Sequence, residues 1–266
     1  MKILVVGGVG YIGGYLSDVL LRNGNAVTVY DNLMYETRYL KDLDFIFGDI
    51  REREKLLPIL NASDVVVWLA AIVGDGACNI DPTLTKMVNE DSVKWLVNNY
   101  GGRIIFTSTC SVYGIHDHLI SEDAEFNPQS VYASTKLAAE KYIVENHDDY
   151  LIFRLGTLFG LGDAFSRVRL DLVVNILTTR AVQGETLTVF GGEQWRPLLH
   201  VKDVGEAVSR CLDNNITGLY NLSYGNFKIH QIGEEISKVI EDVNIEYAHM
   251  KYEDLRNYRV NTDRIT

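Results

Sequence analysis

The chain has 266 residues, 47% of them hydrophobic, and a formal net charge of −11 at pH 7. This acidic balance disfavours nucleic acid as a partner, and it predicts that a phosphorylated ligand meets local cations or helix N-termini inside a cleft. The three cysteines lack a metal-ligand spacing and no apolar run is long enough to span a membrane. We therefore expect a cytoplasmic protein with reduced thiols, no metal site and no membrane partner.

The first half of the chain alternates short apolar runs with helix-like stretches. Near-continuous apolar strands separated by helices are typical of a parallel sheet that is covered on both faces. We therefore predict an α/β fold of the Rossmann type, a doubly wound parallel sheet, with residues 1–160 as the dinucleotide-binding domain. The predicted strands are Lys2–Val6, Ala26–Tyr30, Phe45–Phe47, Asp64–Leu69, Arg103–Thr107 and Leu151–Arg154, and the predicted helices are Tyr11–Asn23, Glu52–Leu60, Thr83–Tyr100 and Tyr132–Asn146.

Beyond about Gly160 the alternation is less regular. We predict that residues 161–266 mainly form a smaller C-terminal substrate-binding lobe, interleaved with elements that complete the sheet. Ligands of open α/β sheets bind at the carboxyl ends of the strands, so we expect the lobe to cover that edge. Its predicted elements are the helix Arg169–Gln183, the strands Leu187–Val189 and Leu198–Val201, a helix beginning near Asp203, and the helix Ile229–Ile240.

A glycine-rich segment, GGVGYIG, lies between the first predicted strand and the first predicted helix. In a dinucleotide-binding loop Gly7 would permit the tight turn, Gly10 would let the backbone approach a pyrophosphate, and Gly13 would let the helix pack on the strand. Tyr11 and Ile12 lead into the helix, whose free N–H groups would face the phosphates. The segment therefore predicts a dinucleotide cofactor.

Asp31 ends the second predicted strand, at the position where a dinucleotide-binding domain contacts the ribose of its cofactor. A carboxylate there accepts hydrogen bonds from the ribose hydroxyls and repels a 2′-phosphate. The next residues are Asn32 and Leu33, and neither is a cation that could hold that phosphate. The sequence therefore predicts NAD as the cofactor.

Tyr132 and Lys136 stand four residues apart on a predicted helix, a spacing that places both on one face. A phenol has a pKa near ~10, and a neighbouring ammonium together with a cationic nicotinamide favours the phenolate, so we expect Tyr132 to act as a base. Thr109 follows the fifth predicted strand and could share a hydrogen bond with a substrate hydroxyl. The three residues predict oxidation of an alcohol.

Taken together, these segments resemble the extended short-chain dehydrogenase/reductase superfamily, and within it the NAD-dependent sugar epimerase/dehydratase family. The resemblance implies that Thr109, Tyr132 and Lys136 form the catalytic triad. It is carried by GGVGYIGG at 7–14, YDNL at 30–33, GDI at 48–50, LAA at 69–71, STCSVYG at 108–114, YASTK at 132–136 and RPLLHVKDV at 196–204. It also implies cofactor contacts from Asp49, Ile50, Leu69, Ala70 and Ala71.

The resemblance further implies a nucleotide-diphosphate sugar as the substrate. Arg196 and Arg259 match the arginines that hold the diphosphate, for which a guanidinium is suited because it can pair with phosphate through two hydrogen bonds. Thr157 stands where epimerases of the family usually carry asparagine. The candidate substrate contacts are Val73, Thr109, Thr157, Asn175, Arg196 and Arg259.

The residues after Thr109 bear on the type of reaction. Dehydratases of the family carry an Asp-Glu pair there, whereas this chain has Cys110 and Ser111, so we expect no dehydratase. The leading interpretation is a 4-epimerase that oxidises a sugar hydroxyl and reduces the ketone on its other face. The alternatives are a 4-dehydrogenase or reductase of a nucleotide-linked sugar or heptose and, more distantly, a non-enzymatic dinucleotide-binding protein. A homodimer formed through the helices near 83–100 and 132–146 is expected from the resemblance.

Overall fold

The apolar runs of the first half form strands, as their β-branched composition predicts. The computed structural model describes residues 1–36, 38–39, 41–248 and 256–265. Within these residues the strands are β1 (Lys2–Val6), β2 (Ala26–Asp31), β3 (Asp44–Phe47), β4 (Val65–Trp68), β5 (Arg103–Thr109), β6 (Ile115–Ile120), β7 (Tyr150–Leu155), β8 (Thr157–Phe159), β9 (Leu187–Phe190), β10 (Trp195–His200), β11 (Gly218–Leu222), β12 (Gly225–Lys228), β13 (Ile245–Ala248) and β14 (Asn257–Val260). The helices are α1 (Gly13–Arg22), α2 (Arg53–Asn61), α3 (Asp75–Ile80), α4 (Pro82–Lys86), α5 (Ser92–Asn99), α6 (Val131–Asn146), α7 (Val173–Val182), α8 (Val201–Asp213) and α9 (Ile229–Ser237).

The central sheet has seven strands in the order β3-β2-β1-β4-β5-β7-β11, and each neighbouring pair is parallel. The chain first runs outward from β1 to β3 and then returns to the other side of β1 at β4. A crevice opens beyond the carboxyl ends of the strands at such a reversal, and ligands bind there. The predicted Rossmann-type, doubly wound α/β fold is confirmed.

Successive side chains of β1 alternate between the two faces of the sheet, so each face has its own core. Ile3 and Val5 belong to the apolar cluster that α1 and α8 complete, whereas Leu4 and Val6 belong to the cluster of α2, α5 and α6. All four side chains are buried. Helices therefore cover both faces, and only the ends of the strands remain open to a ligand.

The second half supplies a smaller layer beside this edge. A three-stranded sheet of β8, β10 and β12 and a strand pair of β9 with β13 pack with α7 and α9 around Leu177, Leu187, Leu198 and Ile232. The second half also returns β11 to the central sheet and α8 to its face. The division between residues 1–160 and 161–266 stays a prediction, and residues 249–255 and 266 of the second part lie outside the described residues.

Two predicted helices were wrong in extent. The helix predicted from Arg169 begins at Val173, because Leu172 is extended and the amide of Asn175 donates to the main-chain oxygen of Arg169 at 3.0 Å. The single helix predicted for Thr83–Tyr100 is divided into α4, a π-helical turn at Met87–Asp91, and α5. The strand pair β6 with β14 and the short helix α3 carried no periodic signal and were not predicted. No helix in the described part of the chain is long and apolar enough to cross a membrane.

Candidate active site

The turn between β1 and α1 needs glycine at two of its positions. Gly7 has φ +80°, and a Cβ atom there would lie 2.5 Å from the main-chain nitrogen of Ala70. A Cβ atom at Gly13 would lie 2.5 Å from the Cα atom of Gly8, so α1 can approach the turn only without a side chain. At Gly10 the nearest atom would be a single carbonyl oxygen at 3.4 Å, so this side of the loop is open. The turn thus forms a cradle that a pyrophosphate can approach closely.

Asp31 ends β2 beside this cradle. Its Oδ2 accepts from the main-chain N–H of Val9 at 3.1 Å, and its Oδ1 accepts from that of Leu33 at 2.8 Å. Burial raises the pKa of the Asp31 carboxyl above its usual range, and these N–H groups partly oppose the increase. The carboxylate is therefore held in a fixed orientation toward the site where a cofactor ribose would lie.

A second carboxylate, Asp49, is held at the adenine end of the expected site. The guanidinium of Arg51 donates to both of its oxygens at 2.8 Å, and the amide of Asn32 donates to one of them at 3.0 Å. The hydrogen bonds from Arg51 hold the pKa of Asp49 well below its usual range. Asp49 therefore remains ionised and immobile beside Ile50, which is itself buried.

One cavity of about 1090 Å³ connects the glycine cradle with the residues of the second half. Every residue predicted to contact the cofactor lines this cavity, namely Gly7, Gly10, Tyr11, Ile12, Gly13, Asp31, Asn32, Leu33, Asp49, Ile50, Leu69, Ala70, Ala71, Tyr132 and Lys136. The open glycine cradle and the oriented carboxylate of Asp31 fit NAD, so these residues would hold it. No group of three or more His, Cys, Asp or Glu side chains in the described residues could hold a metal ion.

The three candidate catalytic residues come from two neighbouring elements. Thr109 is the last residue of β5, and its hydroxyl accepts from the main-chain N–H of Ser111 at 3.1 Å. Tyr132 stands in the first turn of α6, whose N-cap residue Ser130 accepts from the main-chain N–H of Ala133 at 3.2 Å. Lys136, one turn later, is only 2% exposed, and its Nζ lies 3.9 Å from the ring centre of Phe106.

The charges of this group differ from the expectation for Tyr132. Burial raises the pKa of Tyr132 to about 12, while the charge of Arg169 and the hydrogen bond with Thr109 lower it. Burial also lowers the pKa of Lys136 to about 7, although Glu140 one turn later opposes this. The predicted lowering of the Tyr132 pKa by the Lys136 ammonium is therefore weak before ligands bind, because Lys136 holds only part of its charge at neutral pH. The cation that acts most on Tyr132 is Arg169.

Arg169 lies in the cavity and is held from two sides. Its guanidinium donates to both carboxylate oxygens of Asp171, at 2.7 and 2.6 Å, and its main-chain oxygen accepts from the amide of Asn175. The sequence did not predict the electrostatic effect of Arg169 on Tyr132, because the two residues are far apart in the chain.

Not all the predicted substrate contacts reach the cavity. Val73, Thr109, Thr157 and Arg196 line it, but Asn175 does not. The side chain of Asn175 instead accepts from the main-chain N–H of Gly160 at 2.8 Å and donates to the main-chain oxygen of Arg169 and to the hydroxyl of Tyr11. Its polar atoms position the loop before α7, so Asn175 lies outside the cavity lining, and its contact with a substrate stays a prediction.

Arg259 is also absent from the cavity lining. Its guanidinium donates to the main-chain oxygen of Asp117 at 3.0 Å and lies 5.2 Å from the ring centre of Trp195. Arg256, three residues earlier, lines the cavity in its place. Residues three apart in an extended segment point to opposite sides of that segment. The orientation of the segment in the fold therefore decides which of the two arginines faces the cavity. The role of Arg259 in binding the diphosphate stays a prediction, while the structure places Arg256 in the cavity lining.

Comparison with known proteins identifies the family and gives the same fold. The sequence model of the NAD dependent epimerase/dehydratase family matches residues 3–223. UDP-glucuronic acid decarboxylase 6 of Arabidopsis thaliana is 29% identical over 96% of this chain and 79% of its own length. UDP-glucuronic acid decarboxylase 1 of Danio rerio is 27% identical over 94% of this chain, which spans 62% of that relative.

Solved structures are similar over the full chain. UDP-glucuronic acid 4-epimerase from Bacillus cereus, solved with UDP-glucuronic acid and NAD, superposes with a TM-score of 0.86 at 25% identity, covering 100% of this chain and 91% of that one. UDP-glucose 4-epimerase of Thermus thermophilus, solved with NAD, has a TM-score of 0.85 at 24% identity, covering 100% and 92%. The latter likeness concerns the fold alone.

Proposed function

This chain belongs to the NAD-dependent epimerase/dehydratase family, and from that premise we propose that it is a nucleotide-sugar 4-epimerase. The observation that carries the proposal is the shared cavity, in which the glycine cradle, Asp31, Thr109 and Tyr132 meet. The reaction would be reversible oxidation at C4 of a nucleotide-diphosphate sugar.

The chain's own residues supply the acid–base part of this reaction. NAD, when bound, provides the hydride acceptor and donor. Tyr132 would remove the proton from the sugar O4 and later return it, with Thr109 sharing the hydrogen bond to that oxygen. Lys136 would hold the ribose next to the reacting carbon. Burial holds the pKa of Tyr132 at about 12 even though the charge of Arg169 lowers it, so the phenolate would also need the positive charge of the bound cofactor.

The residues after Thr109 support hydride chemistry without elimination. The thiol of Cys110 donates to the main-chain oxygen of Arg154, and burial raises its pKa above the ordinary thiol value. The hydroxyl of Ser111 lies 3.3 Å from the hydroxyl of Tyr258. Neither Cys110 nor Ser111 can exchange protons at neutral pH as a carboxylate pair does. This arrangement favours an epimerase over a dehydratase.

A second candidate is decarboxylation of a uronic acid sugar, because the curated relatives reported above are UDP-glucuronic acid decarboxylases. It begins with the same oxidation at C4, after which a 6-carboxylate β to the new ketone leaves as carbon dioxide. The carboxylates of Asp75 and Asp171 line the cavity, but each is paired with an arginine, Arg256 and Arg169 respectively, so the charge of the lining admits both kinds of sugar. The two candidates are separated by their products in the sugar panel.

We also keep the homodimer as a proposal, formed through the helical faces of α4, α5 and α6.

Incubation of the purified protein with a panel of UDP-, dTDP- and GDP-sugars tests the proposal. The expected result is a C4 isomer, detected by NMR, without net formation of NADH. NADH produced in proportion to sugar would indicate a dehydrogenase, and carbon dioxide released from UDP-glucuronic acid would indicate a decarboxylase. Turnover of none of these sugars would refute the sugar-nucleotide assignment. Tyr132→Phe serves as the control and should lower turnover by roughly 10²–10⁴-fold.

A further inference from the structure

Two segments meet above the glycine cradle, and neither belongs to the dinucleotide loop. The first is the cofactor strap, residues 33–36, 38–39 and 41 between β2 and β3. The second is the arginine segment, residues 160–171 between β8 and α7, which carries Arg167 and Arg169. We propose that Lys41 is a positioning residue that latches the cofactor strap to the arginine segment and thereby controls how fast bound NAD leaves. The proposal rests on the NAD dependence of the family and does not depend on which sugar is the substrate.

The cofactor strap lies against the cofactor end of the cavity. Residues 33–36 line the cavity next to Asp31 and the glycine cradle. Tyr39 anchors the far side of the strap, because it packs against the core with its ring centre 5.0 Å from that of Phe45. The strap is thus attached to the domain at one side and faces the ligand at the other.

The latch is an almost fully buried ion pair. Nζ of Lys41 lies 2.6 Å from Oδ2 of Asp163 and 2.7 Å from Oδ1 of Asp18, and it donates to the main-chain oxygen of Gly14. The side chains of Lys41 and Asp163 are only 7% and 8% exposed. Such a pair differs from a surface salt bridge, because loss of one partner leaves the other charge buried without compensation.

Asp163 is held in position independently of Lys41. Its Oδ1 accepts from the main-chain N–H groups of Phe165 at 3.0 Å and Ser166 at 2.7 Å. Burial acts to raise the pKa of Asp163, but Lys41 and these N–H groups lower it below the usual range. The carboxylate of Asp163 is therefore charged and oriented to pair with Lys41 when the strap lies against the arginine segment.

Gly14 gives a second observation that points to the same contact. The dinucleotide pattern accounts for Gly7, Gly10 and Gly13, and a Cβ atom at Gly8 would crowd Val29, but the pattern does not call for glycine at position 14. A Cβ atom on Gly14 would collide with the carboxylate of Asp163, which therefore lies directly on the backbone of α1. Glycine at position 14, the last of the motif, is explained by the latch and not by the cofactor.

Further contacts join the same two segments. A carboxylate oxygen of Glu36 accepts from the main-chain N–H of Arg167 at 2.9 Å. The guanidinium of Arg167 lies 3.8 Å from the ring centre of Tyr35, as in a cation–π contact. The cradle itself joins the group, because the hydroxyl of Tyr11 donates to the main-chain oxygen of Gly160. Strap, arginine segment and cradle therefore form one connected structure around the cofactor end of the cavity.

This connection has a consequence for the type of reaction. An epimerase removes a hydride from C4 and returns it to C4, so no electrons leave the site and the cofactor need not be exchanged. A dehydrogenase must exchange its cofactor in every turnover, which a closed latch would slow. Slow exchange in the wild-type protein would therefore accompany an enzyme that returns the hydride.

The test measures exchange of NAD from the holoenzyme with no sugar present. Protein loaded with unlabelled NAD is mixed with excess radiolabelled NAD, and the label retained after rapid desalting is followed in time. Lys41→Met should exchange NAD roughly tenfold faster or more, since it leaves Asp163 uncompensated. Lys41→Arg should restore most of the slow exchange, because a guanidinium can reach the same carboxylate. Lys238→Met, which removes an exposed lysine paired with Glu235 on the distant α9, is the matched control and should exchange at the wild-type rate.

A second variant keeps the test decisive if Lys41→Met folds poorly. Gly14→Ala removes no charge and favours the helix intrinsically, yet it must displace Asp163, so it should also accelerate exchange. In addition, Lys41→Met and Asp163→Asn should not be additive, because they break one contact. Wild-type exchange rates in folded Lys41→Met or Gly14→Ala would overturn the proposal. That outcome would leave the sugar reaction untouched, and failure of the sugar panel would leave the exchange result standing.

Discussion

Arg256 and Asp75 form an ion pair in the cavity, with 3.1 Å between Nη1 and Oδ2. The pair joins the start of α3, which follows β4, to the segment that leads into β14. Arg196 belongs to the same group, because its buried guanidinium donates to the main-chain oxygens of Trp195 and Arg256. Cationic and anionic groups thus alternate where a nucleotide sugar would lie.

The first prediction separates the two C-terminal arginines. Arg256→Gln should raise the KM for the substrate found in the sugar panel by about 10- to 100-fold, because it removes a charged donor for the diphosphate. Arg259→Gln is the matched control, and its KM should stay within about twofold of the wild type, since a surface contact of this kind contributes little. Equal effects in steady-state assays would contradict the placement of these side chains.

The second prediction concerns the charge of the sugar. Asp75 and Asp171 line the cavity, but Arg256 and Arg169 pair with them, so we expect UDP-glucuronic acid to bind within about tenfold of UDP-glucose. Asp75→Asn removes one negative charge from the cavity and should strengthen binding of UDP-glucuronic acid relative to UDP-glucose, as measured by calorimetric titration of both ligands. An unchanged ratio of the two affinities in Asp75→Asn would contradict this prediction.

The third prediction follows from the low pKa of Lys136. Burial lowers this pKa from 10.5 to about 7 in the folded, ligand-free protein. Between these values the unfolded chain holds a proton that the folded protein lacks, so the free energy of unfolding rises with pH across this window. Below about pH 7 Lys136 is protonated in both the folded and the unfolded protein, so the destabilisation caused by burying its charge is present in full.

Urea unfolding of wild type and Lys136→Met at pH 7 and pH 9.5 measures this effect. The wild type should gain on the order of 2–3 kcal/mol relative to the variant over this range. A difference between the two proteins that does not change with pH would show that Lys136 is not the titrating group.

The fourth prediction tests the role of Asp31 in choosing the cofactor. Asp31→Ala should weaken NAD binding by about tenfold or more, because two ribose hydroxyls lose a charged acceptor. The preference for NAD over NADP should fall as well, since the carboxylate that repels the 2′-phosphate is gone. Fluorescence titration of both cofactors measures the two effects, and an unchanged NAD affinity would argue against this role.

The fifth prediction concerns stability beneath the catalytic helix. Glu140 and Arg154 form a buried pair, 2% and 3% exposed, in which the guanidinium donates to both carboxylate oxygens. Glu140→Ala should cost about 3–5 kcal/mol, because Arg154 is left charged and buried. Glu145→Ala, on the exposed side of the same helix, should change the free energy of unfolding by less than about 0.5 kcal/mol. Chemical denaturation of both variants provides the comparison, and similar losses would count against it.

The cofactor half could be predicted closely because its signals are local. Gly7 is required by its positive φ and Gly13 by its contact with Gly8, both within a single turn, and Asp31 ends its strand. The spacing of Tyr132 and Lys136 is likewise a property of one helix. Such features depend on a few consecutive residues, so a sequence pattern is enough to locate them.

The substrate half could be predicted only in outline, for a physical reason. Asn175 and Arg259 have the residue types of ligand contacts, but the folded chain places both outside the cavity lining, where Asn175 bonds to Gly160 and Arg169 and where Arg259 bonds to Asp117. The direction in which such a side chain points is set by packing and not by its residue type.

By itself, the sequence determined the parallel sheet, the glycine cradle and the placement of Tyr132 and Lys136 on one helix, since each depends on local periodicity or spacing. Tertiary structure alone decided that Arg256 and not Arg259 faces the cavity, that Arg169 is the cation acting on Tyr132, and that Lys41 meets Asp163 over Gly14. The charge of a side chain acts through space, and its partner in the folded chain is set by packing that no short segment contains.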